Sequence, residues 1–360
     1  MSGKYFLAFN LPFGEMIFMS NNIISRFLNW MKTAAGLSIV ATVLISVIAT
    51  IFSGPHLIVN TIVTGGMLAL VATGLTLMLG VLNIAMFAHG EFFMIGSLAA
   101  FYIFTPISTY ISEHPDSFMS LAGPLIAIAG AAMAGAISGI VAEKLVFGPL
   151  RKRSTQNWVM NSFLLTVGLS VIMINLHQLI FGADFKGIVG YWTGAPISIA
   201  DVFISRDRAM AFLIAALIVA LFWFFMTYTR TGMAIRAVSQ DITGARIVGI
   251  DIEKIILLTI SLACSLSAVA GGSLLFMYPS YPTVGLEPLY MAWFVVILSG
   301  LGNILGAVAG AFMVALLKAV TVEYVGAGWD FVIPSALIMV ILIFKPSGIF
   351  GSDVRGALDK

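Results

Sequence analysis

The sequence predicts an all-α, polytopic transmembrane helical bundle of about eight to ten spans, with broken or re-entrant helices. Three observations point there. Hydrophobic residues make up 60% of the 360-residue chain and charged residues 9%, against about 25% charged in a soluble domain. No Lys, Arg, Asp or Glu occurs over residues 33–90. The apolar runs approach about 20 residues each, the length that crosses hydrocarbon as a helix, and they do not alternate as barrel strands do.

Helices are predicted in chain order at residues 34–52, 57–80, 91–111, 118–142, 158–181, 209–229 and 255–278. Pro55, Pro279 and Pro282 stand at the ends of runs, and Pro149 and Pro196 mark turns. An uncharged run over 288–317 is interrupted at "SGLGNILG", giving two short helices or a re-entrant pair, with Glu287 at its outer end. A last span covers 331–344. Residues 1–33 read as a cytoplasmic or interfacial lead. Pro12 and Glu15 interrupt its first apolar stretch, and no small-residue cleavage site follows directly. The membrane domain is then 34–345, and 346–360 is a cytoplasmic tail.

Ten crossings with both ends inside gather Lys144, Arg151, Lys152, Arg153, Arg230, Arg236, Arg246, Lys254 and Lys345 on the cytoplasmic side. Lys186, Arg206, Arg208 and Lys318 fall outside. The loop 230–254 is therefore cytoplasmic. The loop 182–208, with "GYWTGAP", is external and holds an interfacial turn or short helix.

Several chemistries are excluded. Cys264 is the single cysteine, so the chain forms no internal disulfide, and the four histidines lack metal-ligand spacing. A net charge of +2 gives no electrostatic case for nucleic acid. There is no HExxH, no GxSxG and no acidic pair inside an apolar run, so no catalytic residue is assigned. There is no P-loop either, so any ATPase is a separate chain.

The polar interruptions carry the remaining candidates. "FAHGEFFMIGS" sets His89 and Glu91 just after Asn83, at the end of a long uncharged stretch. Either these groups line a solute path, or they sit at the cytoplasmic boundary with Glu91 in the first turn of the next helix. Asn303, in the second break, is the fourth path candidate. "GVLNIAMFAHGEF" (80–92) echoes "GLGNILGAVAGAF" (300–312), a candidate internal repeat. Gly302, Gly306 and Gly310 form a spacing-four ridge expected to pack another helix closely, as do Gly135 and Gly139.

In "GMAIRAVSQDITGARIVGIDIEK" (232–254), Ile235, Val238, Ile242 and Ala245 share one helical face. Asp241 suits the cap of a second short helix, Gly249 its left-handed stop, and Asp251 and Glu253 the start of the next span. The loop is read as two short helices that dock on a protein or lie on lipid headgroups.

These residues resemble the cytoplasmic loop of LivH-type permease subunits of bacterial branched-chain amino-acid ABC importers. The shared positions are Gly232, Ala234, Arg236, Ala237, Gln240, Asp241, Ala245, Gly249 and Ile250. "GLTLMLGVLNIAMFAHGEFFMIGS" (74–97), "LVFGPLRKR" (145–153) and "KPSGIFG" (345–351) are similar to other stretches of that family, so the likeness covers about 60–351. The resemblance implies an inner-membrane importer with a second permease subunit, two ATP-binding subunits that use ATP and Mg, and a periplasmic solute-binding protein. This chain would hold no cofactor of its own. Gln240, Asp241, Ala245, Arg246, Gly249 and Ile250 would form the coupling segment against an ATPase. Urea and short-chain-amide permeases share most of these motifs, so that substrate class stays open. The rival of another class is a stand-alone secondary transporter or channel.

Overall fold

The computed structural model describes residues 33–82, 84–114, 117–153, 158–192, 194–199 and 202–351. Asn83, the lead up to residue 32 and the tail from 352 lie outside the described residues. The helices are α1 (Ala34–Ser53), α2 (His56–Leu82), α3 (His89–Glu113) and α4 (Met119–Ala142). A π-helical turn (Glu143–Phe147) carries α4 into α5 (Gly148–Arg153). Next come α6 (Trp158–Phe181), the strands β1 (Ile197–Ile199) and β2 (Val202–Ile204), and α7 (Arg206–Tyr228). Two short helices, α8 (Arg230–Gln240) and α9 (Ile242–Ile247), precede α10 (Ile252–Ser273). The chain closes with α11 (Leu286–Ser299), α12 (Ile304–Tyr324) and α13 (Val332–Phe344).

Among the described residues, nine helical segments are long and apolar enough to cross a bilayer. The chain is a multi-pass, all-α membrane protein. α11, at 14 residues, is about 21 Å long and falls short of the ~30 Å hydrocarbon core. The hub is α2, whose hydrophobic window is 89% buried, against 11% for α1 and 17% for the α6 segment. α2 packs on α12, α10, α7 and α11, while α10 packs on α4 and α3. The outer helices turn large apolar side chains outward, among them Phe52, Leu179 and Phe344. In water that exposure would be unfavourable; in lipid it is solvation.

The chain reversals fix which elements share an end. α2 and α12 run antiparallel, with Leu57 packed near Leu316 and Gly80 against Gly302. α8 and α9 lie beyond the C-terminal end of α2, and the C-terminal residues 345–351 fold back there, Ile349 N donating to Leu298 O at 2.7 Å. The first half of α2, the β1–β2 hairpin and the start of α7 share the opposite end, where Arg208 donates to Asn60 Oδ1 at 2.8 Å.

Several expectations change. α10 ends at Ser273 rather than 278. Tyr278 and Tyr281 each precede a proline, which disfavours helical backbone, and residues 274–285 leave the helix as turns. The loop over 182–208 holds an antiparallel hairpin, Ile197 opposite Ile204, where a turn or short helix is expected. Tyr191 and Trp192 ahead of it are buried, and Asp207 Oδ1 accepts both of their amides, at 2.7 and 2.9 Å. Burial raises the Tyr191 phenol, whose hydroxyl donates to Gly272 O at 2.7 Å. Gly302 is not part of a helical ridge: it has φ 83° in the turn before α12. Gly306 faces Phe350 of the C-terminal segment and Gly310 faces Ser299 of α11. The two echoing stretches lie against one another at Gly80 and Gly302 but differ in local structure, since Gly80 is helical and Gly300 has φ 91°.

Candidate functional site

The first polar break lies at mid-depth, not at the boundary. After α2 ends at Leu82, residues 84–86 run non-helically back into the bundle, and α3 begins at His89. Three neighbours set its level. His89 Nε2 lies 3.2 Å from Val71 O of α2. Ser267 Oγ of α10 donates to His89 O at 3.0 Å, and Ser170 Oγ of α6 donates to Glu91 Oε1 at 2.7 Å. Val71, Ser170 and Ser267 all stand well inside their helices, away from either end. His89 and Glu91 are fully buried, and Glu91 is in the first turn of α3. The boundary placement is therefore corrected, because the extended segment returns the chain inward before α3 starts.

The segment is held by α6. The Thr166 hydroxyl accepts from Phe87 N at 3.2 Å and reaches Ala85 O at 3.1 Å. Phe87 meets Phe163 edge-on at 5.1 Å and Trp293 at 5.4 Å. Ser162, Thr166, Ser170 and His177 are all buried, so the inward face of α6 is polar. Two buried atoms, His89 Nδ1 and Glu91 Oε2, have no hydrogen-bond partner among the described residues.

A second helix starts at the same level. The Gly90 and Gly285 backbones touch so closely that a Cβ on either would collide with the other. Gly285 precedes α11, so the N-termini of two helices meet near the middle of the bundle. Each first turn carries a carboxylate, Glu91 and Glu287, the charge that helix N-termini favour. Broken helices whose ends converge at mid-depth are a usual way to build a solute site in hydrocarbon. Asn303 does not reach this place. Its Oδ1 accepts from Gly306 N at 2.9 Å to cap α12, and its Nδ2 donates to Phe350 O at 3.0 Å. Both polar ends of the side chain are engaged in capping. Asn83 lies outside the described residues.

The loop helices form a second site. Thr229 caps α8 by accepting from Gly232 N at 3.0 Å, and Asp241 caps α9 by accepting from Thr243 N at 2.9 Å. Gly249 takes φ 84°, and Ile250 N donates back to Ala245 O at 3.0 Å, closing α9 in a Schellman-type stop. Asp251 then caps α10 through Lys254 N at 3.2 Å. Hydrogen bonding from Lys254 holds the Asp251 carboxyl below its ordinary range. Ile235, Val238 and Ala245 are buried, but Ile242 is exposed. The break at Asp241 turns Ile242 off the shared face. Gln240, Asp241, Arg246 and Gly249 are exposed, and Ile250 is half-buried. Ile247 and Val248 stand 81% and 76% exposed at the tip. The segment is thus capped at every joint yet presents uncovered aliphatic surface.

Sequence reasoning missed Ser170, Thr166 and Ser267, because a serine in an apolar helix gives no signal of what it faces. It also gave Glu287 no chemistry. Glu287 Oε1 lies 2.5 Å from Lys318 Nζ, which is 3.2 Å from Asp330 Oδ2. The signal available was the placement of Glu287 and Lys318 at the margins of uncharged runs.

The family profile of the branched-chain amino acid transport system permease component matches residues 57–343, and the chain belongs to that family. It is 26% identical over 297 residues to the high-affinity branched-chain amino acid transport permease LivH of Salmonella typhimurium, covering 81% of this chain and 94% of that protein. It is 27% identical to the permease BraD of Pseudomonas aeruginosa, over 82% of this chain and 94% of BraD. A probable LivH permease of Methanocaldococcus jannaschii is 26% identical, over 81% of this chain and 91% of that protein. No solved structure matches. Members of this family are transport permease components, not enzymes.

Proposed function

We propose that this family member is the membrane subunit of an ATP-driven importer in the bacterial inner membrane, moving branched-chain or related aliphatic amino acids by alternating access. It works with a second permease subunit, two ATP-binding subunits and a periplasmic solute-binding protein. ATP and Mg are used on the partner chains. Both termini and the α8–α9 segment face the cytoplasm, in line with the cationic side of the chain.

The observation that carries this reading is the α8–α9 segment. It is joined to α7 and α10 without a floppy link, and its Ile247–Val248 tip is exposed. A partner that grips this tip can move α7 and α10 as levers. α10 borders the mid-depth break through Ser267, and α7 packs on α2, which borders it through Val71; His89 and Glu91 are taken as path residues there. Affinity-purified chain is expected to carry ATPase subunits, and uptake by the reconstituted complex is expected to require ATP. Gly249→Pro, which cannot take a positive φ, and Asp241→Arg should leave membrane insertion intact while uncoupling ATP hydrolysis from uptake. Normal uptake with both changes would remove the coupling role. Solute transport by the purified chain alone, driven by an ion gradient, would make it a stand-alone transporter.

A further inference from the structure

On the side of the break away from the loop helices, a cleft opens between α2, α11 and α12. Its apolar wall includes Met67, Leu68, Leu274 and Met291, and its rim carries Glu287 and Lys318. Its deeper wall includes Val71 and Phe93. The Val71 carbonyl is the group that meets His89, so the cleft leads to the mid-depth break. Lys318 is only 16% exposed and is paired with Glu287 and with Asp330. Asp330 does not line the cleft.

We propose that this cleft receives the solute and that its rim selects a zwitterionic aliphatic α-amino acid. Glu287 takes the ammonium group, Lys318 takes the carboxylate, and the Met- and Leu-rich wall takes the side chain. This deepens the importer reading and rests on it. The physical reason is charge balance. A zwitterion brings one charge of each sign, so it replaces the Glu287–Lys318 pair by two pairs and leaves neither group bare. A neutral urea or amide would part the pair and offer no counter-charge, leaving Glu287 without a cation and Lys318 with Asp330 alone. Asp330, which lies outside the cleft, takes no part in holding the solute. The free volume is about 40 Å³, enough for water but below the roughly 300 Å³ of a small-ligand pocket. Reception therefore requires α11 and α12 to part, which is the motion alternating access supplies.

The test uses cells that carry the complete import system and no other leucine uptake. Labelled leucine uptake, membrane level and ATPase recovery are measured for Lys318→Met, Glu287→Gln and Asp330→Asn. Uptake is expected to fall at least about tenfold in the first two, with membrane level kept, and to stay within about twofold in the third. Near-normal uptake in both rim variants overturns the proposal. So does an equal loss in Asp330→Asn, or loss of the protein from the membrane in both rim variants, since either makes the cluster a structural tie. A wild-type system that imports urea or amides but no amino acid overturns the cleft assignment and leaves the ATP-driven importer standing. Leucine transport without ATPases overturns the importer reading and leaves the cleft in place.

Discussion

Glu91 is a carboxylate at mid-depth whose one donor among the described residues is the Ser170 hydroxyl, at 2.7 Å. A buried carboxylate oxygen that loses its donor costs about 1–3 kcal/mol. Ser170→Ala is therefore expected to lower the thermal midpoint of the detergent-purified protein. Glu91→Leu should remove most of that effect, because no carboxylate then needs the hydroxyl; the double-mutant coupling is expected within about 0.5–3 kcal/mol. Additive effects would mean that the contact stabilises nothing. His89 and Glu91 were legible as residues worth singling out, since charge is scarce around them. Their depth was not, because it depends on three serine or carbonyl groups on other helices. Asn303 shows the converse. It has the composition of a path residue, yet its amide is spent on Gly306 and Phe350.

At the scale of elements, the loop helices follow rules that sequence states openly. Asp241, Gly249 and Asp251 stand where a cap, a left-handed stop and another cap are needed, and the backbone there takes those conformations. What periodicity could not show is that the cap at Asp241 interrupts the face, leaving Ile242 outside. It also could not show that Ile247 and Val248 would be left uncovered. Burying one such side chain is worth about 1.5–3 kcal/mol, so Ile247→Ser with Val248→Ser should weaken ATPase-subunit binding at least about tenfold. Membrane insertion should be unchanged, because neither residue packs on the bundle core. Equal recovery of ATPase in a pull-down would move the docking surface elsewhere. α11 shows the limit among the elements: the break in the run over 288–317 was readable, but not that one part would be a 14-residue helix starting beside Gly90 and the other a 21-residue span.

For the whole molecule, the chain reversals place the loop helices and the residue 182–204 region at opposite ends. Cys264 is buried, so it gives little background for thiol labelling. Ile247→Cys and Val189→Cys, both at exposed positions, are expected to react with an impermeant maleimide from opposite sides of the membrane. Ile247→Cys should label only in inside-out vesicles. Labelling of both from one side would break the antiparallel order on which the cleft and the loop site are placed.

Composition and run length alone determined that the chain lives in lipid, that its core is helical and that two breaks interrupt it. These follow from local quantities: apolar content, the length needed to cross hydrocarbon, and the intrinsic preferences of glycine, proline and capping residues. Only the tertiary structure decided where the breaks lie. The meeting of Gly90 with Gly285, the reach of Ser170 to Glu91 and the pairing of Glu287, Lys318 and Asp330 each join residues far apart in the chain. Such pairs are set by how helices pack in three dimensions, and no single run of sequence contains both partners.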